Sequence, residues 1–122
     1  MFLRKSPVGW PSPADDYSED YINLNKHLIK NPASTYLMRI SGSSMMSAGI
    51  NNESILIVDR SINPKNNNVV IALHDGSFIC RRLRTCPVLE LISNDMAETS
   101  INIDHEEGIE IIGVVLAAIN QY

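Results

Sequence analysis

The sequence lacks three features that define large classes of proteins: a long apolar run, a signal peptide and a basic excess. No stretch approaches the roughly 18 apolar residues of a membrane-spanning helix, and no apolar segment follows residues 1–5 as it would in a signal peptide. We therefore expect a cytoplasmic protein without membrane contact. The formal net charge is −4, whereas nucleic-acid-binding proteins usually carry a basic patch. The sequence thus predicts a protein partner and no direct DNA binding.

Cysteine is scarce as well. The chain has two cysteines, Cys80 and Cys86, and their spacing does not match that of metal-ligand pairs. In a reducing compartment we expect two free thiols, with Cys80 in the core. The sequence therefore predicts no metal site and no cofactor. The composition is that of an ordinary globular protein, with 44% hydrophobic and 20% charged residues. A chain of 122 residues is long enough for one domain with a buried core.

The beginning of the chain is rich in proline, which excludes a helix there: Pro7, Pro11 and Pro13. We expect residues 1–20 to form an extended N-terminal arm that precedes a folded domain of residues 21–122. Trp10 has two interpretations that remain open. It could anchor the arm as buried aromatic area, or it could flank a peptide that the arm presents to a cleft.

The remaining sequence predicts a mainly β fold with one short helix near residues 23–31, capped by Asn23. Apolar runs rich in β-branched residues predict seven strands: 35–40, 55–59, 69–73, 77–83, 88–92, 101–103 and 110–119. The last run has a helical alternative at 116–118. Asp75-Gly76, between two apolar runs, predicts a hairpin with a type I′ turn, because both residue types accept a positive φ.

A serine turn follows the first predicted strand. Residues 41–46 read Ser-Gly-Ser-Ser-Met-Met, which places Ser44 beside hydrophobic methionines. Serines in turns usually cap backbone groups, so a purely structural role is one interpretation. The stretch is not a G-x-S-x-G nucleophile elbow, because Met46 occupies the second glycine position. A catalytic Ser44 would need a base from elsewhere in the chain, such as the lysine of a Ser-Lys dyad.

Several short motifs, in this order and spacing, resemble the peptidase domain of the LexA/UmuD family of self-cleaving Ser-Lys peptidases. The resemblance covers about residues 9–119 and rests on Gly42-x-Ser44-Met45, Gly49-Ile50, Ile57-Val58-Asp59, Val69-Val70-Ile71-Ala72, Asp75-Gly76-x-Phe78 and Ile112-Gly113-Val114-Val115. It implies a compact β domain of the LexA C-terminal type that works as a homodimer.

The resemblance also implies an activity and partners. Family members cut their own arm when a RecA–single-stranded DNA filament stimulates them during the SOS response. The trimmed dimer then supports a UmuC-like, error-prone translesion DNA polymerase. In the matching register Ser44 takes the nucleophile position, and the Val8-Gly9 bond takes the cleavage position. Because eight residues precede Gly9, the chain is expected to behave as a constitutively processed-like form.

Arg81 departs from the family pattern, because it occupies the position of the catalytic lysine. A lysine in a dry pocket can be neutral near pH 7 and accept the serine proton. Arginine stays protonated and has no lone pair to offer. The neighbouring Arg82 has the same defect, and we expect the possible substitutes His74 and His105 to be exposed. The prediction is that Ser44 lacks a competent base and that self-cleavage is absent or very slow.

Two alternatives remain beside this UmuD-like accessory role. One is an active, RecA-stimulated serine peptidase that cuts at Val8-Gly9 despite Arg81. The other is an inhibitory heterodimer partner of a cleavable LexA/UmuD-family paralogue.

Further departures from the family pattern concern turns. Glu53-Ser54 and Asn67-Asn68 stand where family members often carry Gly-Asp, which is expected to threaten stability more than chemistry, and residues 93–95 replace a proline-bearing loop.

Overall fold

The computed structural model describes residues 22–94 and 99–122. The predicted cleavage position, Val8-Gly9, and the arm over residues 1–20 lie outside the described residues, so both stay predictions. The chain divides into two units after Lys30. The described part of the first unit holds one helix, and the second unit holds the sheet. No helix in the described part is long and apolar enough to cross a membrane.

The helix, α1, spans Leu24–Leu28. Asn23 caps it as predicted, since its side-chain oxygen accepts a hydrogen bond from the Lys26 N–H at 3.3 Å. The helix is shorter than the predicted range of 23–31, because Ile29 already has extended dihedrals of φ −108° and ψ 97°.

Within residues 22–94 and 99–122, seven strands form one antiparallel sheet. They are β1 Thr35–Arg39, β2 Ile55–Asp59, β3 Val69–His74, β4 Ser77–Arg84, β5 Glu90–Ile92, β6 Ile101–Asn102 and β7 Ile109–Ile119. Their order across the sheet is β1-β2-β7-β3-β4-β5-β6. The long last strand therefore inserts between β2 and β3. The predicted mainly β fold is confirmed, and the helical alternative for residues 116–118 is wrong.

The β3–β4 hairpin has the predicted two-residue turn. Asp75 has φ 50° and Gly76 has φ 84°, while His74 and Ser77 form the last facing pair. Positive φ at both central residues is the signature of a type I′ turn, whose twist matches that of the strands. This turn sets the register of β4 and places Arg81 opposite Val70.

The core lies on both faces of the sheet. Successive residues of a strand face opposite sides, and Val70 and Ile71 accordingly belong to different clusters. One cluster contains Met45, Ile50, Leu56, Val58, Ile71 and Cys80. The other contains Val70, Ala72, Leu83, Leu91 and Val114. The first cluster underlies the serine turn, because Met45 and Ile50 come directly from the chain around Ser44.

Candidate active site

Ser44 lies in a compact turn between the end of β1 at Arg39 and the short 3-10 helix that begins at Met46. Met45, with 2% of its surface exposed, is buried beneath the turn and fixes it to the core. The short 3-10 helix Met46–Ala48 follows and ends at Gly49, whose φ of 87° is left-handed. Gly42 also has a positive φ, 108°, which a residue with a side chain rarely adopts. The turn is thus held by one buried methionine and two glycines.

The loop after β5 holds the backbone of Ser44. The Ser44 carbonyl accepts hydrogen bonds from Ser93 Oγ at 2.9 Å and from the Asn94 N–H at 2.8 Å. Ser47 Oγ in turn donates to the Asn94 carbonyl at 3.3 Å. Sequence reasoning missed this clamp, because its partners are far apart along the chain and the loop after β5 has no recognisable motif. The clamp ties the backbone of Ser44 to the loop after β5.

Ser44 and Arg81 lie on the wall of the same cavity, which has a volume of about 180 Å³. Arg81 is half-buried on β4, and its Nη1 donates a hydrogen bond to the Cys80 carbonyl at 2.8 Å. The structure therefore brings together the two residues that the sequence had placed in the nucleophile and general-base positions. The described wall residues are Ile40, Ser41, Gly42, Ser44, Met45, Ile50, Phe78, Ile79, Cys80 and Arg81.

The described residues of this wall offer Ser44 no ordinary base. Lysine, histidine, aspartate and glutamate are absent from the described residues that line it. Burial raises the pKa of the Cys80 thiol to about 11, although the charges of Arg81 and Arg82 oppose the shift. At neutral pH the thiol is therefore protonated and cannot accept a proton. A guanidinium has donors only, so Arg81 cannot take the serine proton either.

The two histidines considered as substitutes are placed elsewhere. His74 Nε2 lies 3.0 Å from Glu106 Oε2 and 3.4 Å from Asp75 Oδ2. Its side chain is 24% exposed, so the expectation of an exposed His74 is wrong, because the hairpin end packs against an acidic loop. His105 is exposed as expected. Neither is among the described residues that line the cavity.

A second cavity, of about 240 Å³, adjoins the first at Phe78. It is lined by Tyr36, Leu37, Met38, Val58, Arg60, Phe78 and Ile112. Tyr36, Leu37 and Phe78 are about half exposed or more, which leaves an apolar surface beside edge strand β1. Sequence reasoning missed this surface, although the adjacent apolar pair Tyr36-Leu37 breaks the alternation of a strand with one buried face.

The sequence of the chain is similar to those of known proteins. The Peptidase S24-like family matches residues 1–116 of the chain. The chain belongs to this family. Its similarity to Protein ImpA of Salmonella typhimurium is 39% identity over 123 residues, which covers 99% of the chain and 83% of ImpA. Its similarity to Protein MucA of Escherichia coli is 35% identity over 117 residues, which covers 94% of the chain and 80% of MucA.

A LexA repressor is also similar to this member of the S24 family. The LexA repressor of Photorhabdus laumondii is 28% identical over 119 residues, covering 96% of the chain and 59% of the repressor. The resemblance to the LexA/UmuD family that the motifs indicated is therefore confirmed. In the structure Glu53 and Asn67 have positive φ values of 71° and 73°.

Proposed function

We propose that this S24 family member is a UmuD-like SOS-response protein, the accessory subunit of an error-prone translesion DNA polymerase, with its self-cleavage impaired by Arg81. Ser44 occupies the nucleophile position and Arg81 the general-base position. The observation that supports this assignment is that both residues line one cavity. Family membership supports the general role, and the net charge of −4 supports a protein partner.

The impairment follows from proton transfer. For Ser44 to attack a carbonyl carbon, its hydroxyl proton must move to an acceptor within hydrogen-bond reach. A deprotonated lysine amine has one lone pair for that proton, whereas the Arg81 guanidinium has none. The Cys80 thiol is protonated too, so no side chain among the described wall residues takes the Ser44 proton. The bond between Val8 and Gly9 is then cut very slowly or not at all.

The proposal includes partners and a location. The chain would form a homodimer, respond to the RecA–single-stranded DNA filament and engage a UmuC-like polymerase without binding DNA directly. Its place would be the cytoplasm. In this account the arm over residues 1–20 stays attached, and the folded domain of residues 21–122 performs the accessory role in its uncut form.

A lesion-bypass assay tests the proposal. Primer extension across an abasic site is measured with a UmuC-like polymerase and a RecA filament, adding either the wild-type chain or Ser44→Ala. Both proteins are expected to stimulate bypass to within about twofold of each other, because a Ser44 that does not react makes no contribution to the stimulation. Loss of stimulation with Ser44→Ala alone would instead identify an active peptidase. Suppression of bypass supported by a cleavable relative would identify an inhibitor.

A further inference from the structure

We propose that Asn52 and Asn120 are positioning residues for Ser44, because they fix the two ends of segment 42–49 from outside the cavity that Ser44 lines. Neither asparagine is among the described wall residues of that cavity. Both line a separate polar cavity of about 150 Å³. The inference deepens the proposed function and rests on it for the role of Ser44 as the nucleophile.

The two ends of the segment are glycines that packing does not restrain. Gly42 has φ 108° and Gly49 has φ 87°, a region that residues with a side chain rarely adopt. A Cβ added at either position would meet nothing within 4 Å. Glycine also has more conformational freedom than any other residue. Hydrogen bonds to these two glycines are therefore well placed to determine how firmly Ser44, between them, is held.

Asn52 holds the first end of the segment. Its Oδ1 accepts a hydrogen bond from the Gly42 N–H at 2.8 Å. In the same loop the Glu53 N–H donates to the Ile40 carbonyl at 2.8 Å, and the Ile40 N–H donates to the Ser54 carbonyl at 3.1 Å. These backbone bonds continue the pairing of β1 with β2, and the Asn52 side chain extends that pairing to Gly42.

Asn120 holds the second end from beyond β7. Its Nδ2 donates a hydrogen bond to the Gly49 carbonyl at 3.1 Å. The orientation of the amide is set by Ser54, whose buried hydroxyl donates to Asn120 Oδ1 and accepts the Asn51 N–H at 2.9 Å. Because the amide oxygen is the acceptor for Ser54, the amide nitrogen faces Gly49.

Backbone hydrogen bonds connect Gly49 to Ser44. The Gly49 N–H donates to the Met46 carbonyl at 3.0 Å, and the Met46 N–H donates to the Ser43 carbonyl at 3.1 Å. Ser43 directly precedes Ser44, whose own carbonyl accepts the Asn94 N–H at 2.8 Å. A displacement of Gly49 should therefore reach Ser44, and the exchange rate of the Asn94 N–H should report it.

Hydrogen exchange of the backbone amides, measured by NMR on the full chain, tests the second end. Asn120→Asp keeps the acceptor for Ser54 but replaces the donor to Gly49 by a second oxygen. The Gly49 and Asn94 amides should then exchange at least about tenfold faster. Amides in the centre of the sheet, such as that of Ile71, should keep their rates, because the change is local.

The first end is tested by two substitutions at one position. Asn52→Ala removes the acceptor and should accelerate exchange of the Gly42 amide at least about tenfold, whereas Asn52→Asp retains the acceptor and should change the rate by less than about twofold. Aspartate should thus replace asparagine at position 52 and fail at position 120. Asn66→Ala is the control and should leave both ends unchanged, since Asn66 Oδ1 accepts the Thr85 N–H at 2.9 Å in the loop between β2 and β3.

The consequence for Ser44 is measured in Arg81→Lys, in which the proposed function expects self-cleavage. Asn120→Asp and Asn52→Ala, each combined with Arg81→Lys, should slow self-cleavage at least about tenfold, because a small misplacement of a reacting group is costly. Asn66→Ala should change the rate by less than about twofold. If Arg81→Lys itself does not cleave, the proposed function fails, and the exchange rates alone decide the inference.

Three results would overturn the inference. An unchanged exchange rate of the Asn94 amide in Asn120→Asp would show that the end of β7 does not position Ser44. A uniform acceleration that includes Ile71 would show a loss of overall stability instead of a local effect. An undiminished rate of self-cleavage in the combined variants would show that the two asparagines do not position the reacting group.

Discussion

At position 81 the structure places a guanidinium on the wall of the cavity that Ser44 also lines, and a guanidinium cannot accept a proton. Ser44 keeps its turn, its buried neighbour Met45 and the clamp from Ser93 and Asn94. What the described wall of the cavity lacks is an acceptor for a proton. In the proposed function, the turn and the clamp hold Ser44 in place, while the proton transfer that would start the reaction is blocked.

Glu53 stores backbone strain in the turn before β2. Its φ of 71° is left-handed, which costs a residue with a Cβ roughly 1–2 kcal/mol. The side chain is exposed and contributes little through its long contact with Arg39, at 3.8 Å. Glu53→Gly is expected to raise the free energy of unfolding by about 1 kcal/mol after the entropy cost of glycine. Urea denaturation measures the change.

Asn67 serves as the matched control for that substitution. It has nearly the same φ, 73°, but asparagine tolerates the left-handed region better than glutamate does. Asn67→Gly should therefore stabilise the chain less than Glu53→Gly. Equal effects, or destabilisation by Glu53→Gly, would contradict the view that backbone strain is stored at position 53.

The two thiols should differ in reactivity. Burial raises the pKa of the Cys80 thiol to about 11, and only 3% of the residue is exposed, whereas Cys86 is exposed. Since the thiolate is the reactive form, iodoacetamide at pH 8 should add one label to the folded chain, at Cys86. The second label should follow only on unfolding. Peptide mass spectrometry identifies the labelled cysteine. Faster labelling of Cys80 than of Cys86 in the folded chain would contradict the prediction.

Among the elements, β2 ends in a buried carboxylate that ties three segments together. Asp59 accepts hydrogen bonds from Asn31 Nδ2 at 2.9 Å, Ser34 Oγ at 2.9 Å and Ser61 Oγ at 2.7 Å. The Ser61 N–H adds a fourth at 2.8 Å. These bonds, that from Asn31 first, lower the pKa of Asp59 from 3.8 to about 2. The ionised carboxylate is thus the form that the fold prefers.

A pH dependence of stability follows from Asp59. Because its pKa is lower in the folded state, its contribution is complete above about pH 4 and is lost as the pH falls towards 2. Asp59→Asn should lower the stability at pH 7 and flatten its decline between pH 4 and 2. Asp104→Asn, at an exposed loop position, should preserve the decline. Thermal melting across this range measures both, and a wild-type slope in Asp59→Asn would contradict the assignment.

Local signals explain which elements could be predicted from the sequence. The hairpin at Asp75-Gly76 was predictable because two adjacent residues encode its positive φ values. The central place of β7 was not, since strand pairing across the sheet depends on contacts between distant parts of the chain. The clamp on Ser44 has the same origin. Ser93 lies 49 positions from Ser44 along the chain, and no local sequence pattern predicts a contact between these two loops.

For the whole molecule, the proposed function is that of a peptidase-family domain that acts without cleaving itself. The cavity that Ser44 and Arg81 share is the observation that supports it. Sequence reasoning could place the two site residues only because the family register supplied their positions. The absence of a base from the described wall, and the protonated Cys80, required the structure.

The central claim is tested by the intact mass of the purified chain after incubation with an activated RecA–single-stranded DNA filament, or at alkaline pH. The wild-type chain should keep its mass. Arg81→Lys should yield a fragment that begins at Gly9, and Arg81→Lys combined with Ser44→Ala should stay whole. If the wild-type chain instead loses residues 1–8, and Ser44→Ala prevents the loss, a guanidinium is no barrier to this chemistry and the account is contradicted.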